Sequence, residues 1–329
     1  MFRSIINKTL FLVLLGCITA TSSQAKELEK LDLTYVTSNA IYWDLDVGID
    51  KGFFKDEGFN ARAVTNSSSV QSVQTLIAGD VQMAISQPGP LIQAVSKGAT
   101  QIGLIATPAD QADWFLVGKK GVTNLKELKG QRVGFSGLSV SEFYLTRDLL
   151  AKHGIGPHDF TPIQVGPTPA KFAALQNGSI GAGVLFQPTA TQAQLDGFPV
   201  LFRYAPEFKD FPSIGYLVNR KWASTNDHGQ RFVRAIKRIH AWLYNPANRD
   251  EAIKVLQKYT HRDTQAISAV YDLYFVSDKL YGRTGEVNVA NMKATVKRYA
   301  KNAGMATGSV PTPEQYLIPA ADGGPKLGN

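Results

Sequence analysis

One α/β corner is written twice in this chain, and the repeat constrains the fold more than any other feature. Leu76-Ile77-Ala78-Gly79 leads through residues 81–86 into Gln87-Pro88. Leu175-Gln176-Asn177-Gly178 leads through residues 180–186 into Gln187-Pro188, with one residue more. Each copy reads as a helix closed by glycine, a buried strand and a polar Gln-Pro turn that opens another helix. Two copies predict two similar lobes, and two lobes face to face enclose a cleft.

The surrounding pattern agrees. Strands are expected at residues 31–36, 61–65, 81–86 and 101–106, with helices at 43–55, 70–79 and 90–97 between them. This βαβ alternation predicts an α/β fold whose mostly parallel sheet is covered on both faces. The alternation restarts at Arg132, with strands expected at 132–136, 160–165, 182–186, 199–203 and 214–219. Four helices follow, from about Gln230 to Asn302, and a Gly- and Pro-rich tail from Gly304 is expected to wrap the surface. Crossovers at 107–119 and 204–216 divide the chain into a discontinuous first lobe, 26–112 plus 206–329, and a second lobe, 113–205. The C-terminal helices belong to the first lobe, and two connections allow hinge closure.

Residues 1–25 stand apart as a secretory leader: Arg3 and Lys8, an apolar run to Ala20, then Ser23-Gln24-Ala25 before Lys26. Leu14-Leu15-Gly16-Cys17 also fits a lipoprotein box, with Cys17 as the lipidated residue. Either processing places the protein outside the cytoplasm. Cys17 is the only cysteine, so a chain cleaved after Ala25 has no disulfide, thiolate metal site or cysteine nucleophile. Loss of the leader lowers the basic residues from 35 to 33 against 27 acids, a net charge of +6. The densest basic cluster, Arg231, Arg234, Lys237 and Arg238, reads as a solvated helix face, and no groove-reading motif accompanies it.

In open α/β sheets ligands bind beyond the carboxyl ends of the strands. The corners there are Thr37-Ser38-Asn39-Ala40-Ile41-Tyr42-Trp43, Asn66-Ser67-Ser68-Ser69 and Gln87-Pro88-Gly89 in the first half. In the second they are Gly137-Leu138-Ser139-Val140-Ser141, Gly166-Pro167-Thr168 and Gln187-Pro188-Thr189. They carry hydroxyls, amides and glycines and no Lys, Arg, Asp, Glu or His. Each also reads as a helix cap, and Ser139 with Glu142 has the spacing of a capping box. A single helix N-terminus holds an anion by about 0.3–1 kcal/mol, against the roughly 8 kcal/mol of micromolar binding. Only convergence of several corners makes a site. Tyr42, Trp43, Trp114, Phe186 and Phe211 stand near these corners; Trp43 and Phe186 read first as core, while Tyr42 and Trp114, in polar stretches beside a loop or hinge, read equally as wall or core.

Catalytic signals are weak. The five histidines are scattered, with no His-Glu-x-x-His. Residues 134–137 fall one residue short of a nucleophile elbow, and no nucleotide-phosphate loop occurs. No metal, cofactor or catalytic residue is expected.

The segments 48–59 (GIDKGFFKDEGF), 125–134 (LKELKGQRVG), 139–144, 164–166, 218–223 (VNRKWA) and 245–253 (NPANRDEAI) together resemble the periplasmic binding proteins for sulfonates, taurine, nitrate and thiamine-pyrimidine precursors. The resemblance implies the two-lobed type II periplasmic binding fold. It also implies a monomer that captures a small solute and delivers it to an ABC permease in the inner membrane, without nucleic acid. By the same resemblance the ligand-contacting positions are Ser38, Asn39, Tyr42, Gln87, Ser139 and Ser141, with Ser68, Trp114, Thr168 and Gln187 as neighbours. The corners here lack an acid or arginine, so no particular ligand carries over; an anionic or zwitterionic organic solute is expected. Pyrimidine synthases on the same fold are the enzyme alternative, but they use a cysteine-rich iron motif. A ligand sensor for a membrane receptor is another alternative.

Overall fold

The computed structural model describes residues 27–327; the leader and Cys17 lie outside them. Chain order gives β1 (Glu29–Tyr35), β2 (Phe59–Thr65), β3 (Met83–Ser86) and β4 (Ile102–Ala106), then β5 (Phe115–Gly118), β6 (Arg132–Phe135), β7 (Thr161–Gln164), β8 (Ala182–Leu185), β9 (Val200–Arg203) and β10 (Gly215–Asn219). They form two five-stranded sheets, in the orders β2-β1-β3-β10-β4 and β7-β6-β8-β5-β9. The orders superimpose element for element, so the molecule has two lobes of one topology.

The repeated corner occupies equivalent places in both. β3 and β8 are each the third strand of a parallel trio, paired to β1 and β6 respectively. Each follows a helix, Ser69–Ala78 or Thr168–Gln176, terminated by a glycine at positive φ, Gly79 at 84° and Gly178 at 72°. Only glycine adopts that conformation without a Cβ penalty.

Each sheet is mostly parallel, as the βαβ alternation predicts, with one strand, β10 or β5, running against the other four. The chain leaves the first sheet after β4 and enters the second through β5, antiparallel to β8. It returns through β10, antiparallel to β3. A crossing strand arrives from the end where the other strands finish, so it must run against them. The crossings lie side by side. Asp113 N–H donates to Ser213 Oγ at 3.0 Å, and Tyr204 N–H to the Trp114 carbonyl at 3.0 Å.

The expected helix over 43–55 breaks at Gly52, at φ 77°, into Trp43–Asp50 and Phe53–Asp56. The break turns Phe54 back to stack on Phe232, 5.7 Å between centroids, in the helix His228–Leu243. Trp43 is fully buried, and its indole donates to the Ala252 carbonyl at 2.9 Å. Burying side chains of this size contributes about 1.5–3 kcal/mol each and fixes the C-terminal helices onto the first lobe. The helix Val289–Asn302 also reaches the second lobe: Asn302 Nδ2 donates to Asp148 Oδ2 at 2.9 Å.

The tail covers an edge. Ile318 N–H donates to the Leu104 carbonyl on β4 at 2.9 Å, and Arg220 holds the Leu317 and Gln315 carbonyls at 2.8 and 2.7 Å. This occupies backbone groups that an edge strand otherwise presents to solvent. Gly229 lets the tail approach, since a Cβ there would lie 1.9 Å from the Asp322 carbonyl oxygen. The basic cluster is engaged internally: Arg231 with Glu29 at 2.8 Å, Arg234 with Glu57 at 3.1 Å, Lys237 with Glu286 at 2.7 Å and Arg238 with Asp56 at 2.7 Å.

Candidate functional site

The loops leaving β1, β3, β6, β7 and β8 converge between the sheets. After β1, Asn39 adopts an extended backbone, and its Oδ1 accepts from Ile41 N–H at 3.0 Å, starting the short 3-10 turn Ala40–Tyr42. The turn brings Ala40 N–H to the Gln187 carbonyl of the other lobe at 2.7 Å. Gln87 opens the helix Pro88–Ser96, and its Oε1 accepts from Glu142 N–H, also across the gap, at 3.3 Å. Thr168 begins the helix Thr168–Gln176, directly after β7 and its turn.

A crevice lies between these loops. Thr37, Asn39, Tyr42, Ser69 and Gln87 line it from the first lobe; Ser136, Pro167, Thr168 and Phe186 line it from the second. Its free space totals about 340 Å³, of which only about 20 Å³ admits the centre of a water molecule. That is room for about one water, so an organic solute enters only if the lobes part. A larger cavity lies beneath the tail, with free space of about 1250 Å³ against the 340 Å³ of the crevice. Its Arg234 and Lys237 already hold carboxylates, and its lining comes entirely from the first lobe and the tail, so it gathers no groups from both lobes.

Of the ten residues expected at the site, Asn39, Tyr42, Gln87 and Thr168 line the crevice. Gln187 is buried at its edge, where its carbonyl bridges the lobes and its side-chain Oε1 accepts from Thr191 N–H at 3.0 Å. Ser38 turns aside and shares a hydrogen bond with the Tyr35 hydroxyl at 2.8 Å. Ser68 caps its helix by accepting from Gln71 N–H at 3.2 Å, leaving the next residue, Ser69, at the wall. Trp114 is fully buried one layer behind, 6.0 Å from the Phe186 ring and 5.8 Å from Tyr204 and Phe211. It supports the aromatic wall and does not form it. Ser141 is buried with its hydroxyl unpartnered. Ser139 contributes its carbonyl, which accepts from the Tyr299 hydroxyl at 3.4 Å.

The expected capping box does not form. The helix Ser141–Lys152 starts after Val140 with no side-chain cap, and Glu142 turns inward. Its carboxylate pairs with the Lys171 ammonium, Nζ lying 3.3 Å from both oxygens, and accepts the Ser136 N–H. Both side chains are fully buried. A buried ammonium needs a counter-charge far more than a helix needs one cap. Burial pushes the Lys171 ammonium below the ordinary lysine range, and the Glu142 charge opposes that shift. Burial pushes the Tyr42 phenol upward, so it stays a neutral hydroxyl. Spacing alone hides the pair: a lysine three residues into a helix after Thr168 reads as solvated, yet positions three apart share a helix face. Among the described residues, no group of three or more His, Cys, Asp or Glu is arranged so that it could hold a metal ion.

A family description, "NMT1/THI5 like", matches residues 44–252. The chain belongs to the NMT1/THI5-like family. Among its relatives, YtlA of Bacillus subtilis is 25% identical over 270 residues, covering 78% of each chain. The taurine-binding periplasmic protein of Escherichia coli is 29% identical over 150 residues, covering 45% of this chain and 46% of that one. The 4-amino-5-hydroxymethyl-2-methylpyrimidine phosphate synthase of Candida albicans is 25% identical over 214 residues, 59% of this chain and 60% of that one. In structure, the alkanesulfonate-binding protein SsuA of Xanthomonas axonopodis, bound to MOPS, matches with a TM-score of 0.70 at 17% identity, covering 88% of this chain and 96% of that one. The nitrate-binding protein NrtA of Synechocystis gives a TM-score of 0.66 at 13% identity, covering 88% and 92%. The fold is therefore the type II periplasmic binding fold.

Proposed function

We propose that this chain is the solute-binding component of an ABC importer. It works in the periplasm as a monomer, closing on a small anionic or zwitterionic organic solute and presenting it to an inner-membrane permease. Residues 27–112 with 206–327 act as one lobe and 113–205 as the other. Asn39, Tyr42, Gln87 and Thr168, with Ser69 and Ser136, contact the ligand.

One observation carries this reading. Uncharged polar loops from both lobes line a single crevice, and hydrogen bonds between the lobes cross it. Such a site grips by closure, because the contacts are divided between two bodies. The taurine-binding relative and the fold shared with sulfonate and nitrate receptors support it. The synthase relatives favour an enzyme instead, but the only cysteine of this chain is Cys17, which leaves no cysteine-rich iron motif.

A panel of alkanesulfonates, taurine, aromatic carboxylates, pyrimidines and nitrate tests the proposal by thermal shift and calorimetry. A ligand at one hundred times its Kd adds about 2.7 kcal/mol, a rise of roughly 4–6 °C for a chain of this size. Saturable binding without turnover supports the receptor. Turnover of a bound compound, or no binding across the panel, overturns it.

A further inference from the structure

The Lys171 ammonium stands one hydrogen bond behind the crevice wall. Its Nζ donates to Ser136 Oγ at 2.9 Å and lies 5.6 Å from the Phe186 ring centroid; both Ser136 and Phe186 line the crevice. An ammonium has donors only, so the Ser136 oxygen accepts from it. The Ser136 proton is then directed away from Lys171. Ser136 donates its hydroxyl proton to no acceptor among the described residues, and its backbone N–H is held by Glu142. The neighbouring Gln87 is biased the same way. Its Oε1 is occupied by Glu142 N–H, which leaves the amide nitrogen to donate.

We infer that Ser136 is the anchoring hydrogen-bond donor of the crevice, held in that role by the buried Lys171–Glu142 pair, and that the ligand presents an anionic oxygen to it. This deepens the receptor reading and rests on it. Glu142 makes a charged ammonium tolerable in a dry interior, and the ammonium orients and polarises the hydroxyl in front of it. A hydroxyl polarised from behind by a cation gives a stronger bond to a charged acceptor than to a neutral one. Lys171 and Glu142 are positioning residues; Ser136 makes the contact.

Calorimetry with two matched pairs, butanesulfonate against butanesulfonamide and benzoate against benzamide, tests this on the full mature chain. Wild type is expected to prefer the anion of the better-binding pair by about tenfold or more. Ser136→Ala should reduce that preference to about threefold or less, with a melting temperature lowered by no more than about 5 °C through the acceptor lost to the Lys171 ammonium, and Ser136→Thr should restore it. The double variant Lys171→Met/Glu142→Leu removes both buried charges together, so it tests the pair without stranding either one. It should lose the preference in the same way, whereas a purely structural pair would alter both affinities equally. A wild type indifferent to charge, or a Ser136→Ala variant that keeps the preference, overturns the inference and leaves the receptor standing. If nothing in either pair or in the wider panel binds wild type, the receptor reading falls and this inference with it.

Discussion

Gln87 and Glu142 face each other across the crevice and are joined by one hydrogen bond, the Glu142 N–H donating to the Gln87 side-chain oxygen at 3.3 Å. The bond links the first turn of a second-lobe helix to the turn that opens a first-lobe helix. It exists only when the lobes are together, so it contributes to closure.

Gln87→Ala should therefore weaken binding of any closing ligand without unfolding the chain. A neutral hydrogen bond contributes about 0.5–1.5 kcal/mol, so the expected loss is roughly 2- to 12-fold in Kd. The melting temperature without ligand should stay within about 2 °C of wild type. Unchanged affinity by calorimetry would remove Gln87 from the site.

The Lys171–Glu142 pair makes a sharp stability prediction. Lys171→Met alone strands a fully buried carboxylate and should cost about 3–5 kcal/mol. Lys171→Met/Glu142→Leu should recover most of that loss, because a buried pair replaced by apolar groups is often neutral. Urea denaturation of the three proteins decides it. A double variant no more stable than the single would show that the carboxylate is not the source of the loss.

Asp113 makes stability depend on pH. Burial raises its carboxyl from 3.8 to about 6, against the opposing hydrogen bonds from Ser213 and Tyr274. Between those values the folded chain holds a proton that the unfolded chain has released, so stability falls as pH rises from about 4 to about 6. The full effect is on the order of 3 kcal/mol. Asp110, also raised to about 6 by burial, acts in the same direction. Asp113→Asn cannot ionise, so its urea midpoint should fall less than that of wild type between pH 4.5 and 7.5. Equal falls in both proteins would exclude Asp113 as a source.

Gly229→Ala tests how the tail is held. The new methyl group would overlap the Asp322 carbonyl, and the tail must lift from β4 to admit it. A loss of about 1–3 kcal/mol is expected, with proteolytic cleavage appearing after Ile318 where wild type resists. An intact tail under limited proteolysis would mean that the backbone absorbs the methyl group.

The lobes were legible because they rest on strong local signals. Glycine-closed helices and Gln-Pro turns are backbone chemistry, and they recur at equivalent places in the two sheets. Asn39, Tyr42, Gln87 and Thr168 lie in the turns that follow strands, and it is the family resemblance that singles them out within those turns; all four line the crevice. The rest turned on packing. Ser139 and Glu142 have capping-box spacing, but a cap worth about 1 kcal/mol loses to a buried ammonium that only the tertiary fold brings near. Trp114 lies in a polar stretch, yet Phe186, Tyr204 and Phe211 arrive from other strands and loops to enclose it. Ser68 and Ser69 differ by one helix position, and spacing could not say which would cap and which would face inward.

The side-by-side crossings at Asp113–Ser213 and Trp114–Tyr204 have a modular consequence. All five strands of the second sheet come from one unbroken stretch of chain, and the two ends of that stretch touch. The second half is thus built as a cassette inside the first, and a short turn from Ala112 to Ala205 would bridge its removal. Exchange of such cassettes between relatives could replace half of a ligand's contacts while leaving the other half and its five strands untouched. A chimera that folds and melts near the temperatures of its two parents would demonstrate that the halves are interchangeable, and one that fails to fold would refute it.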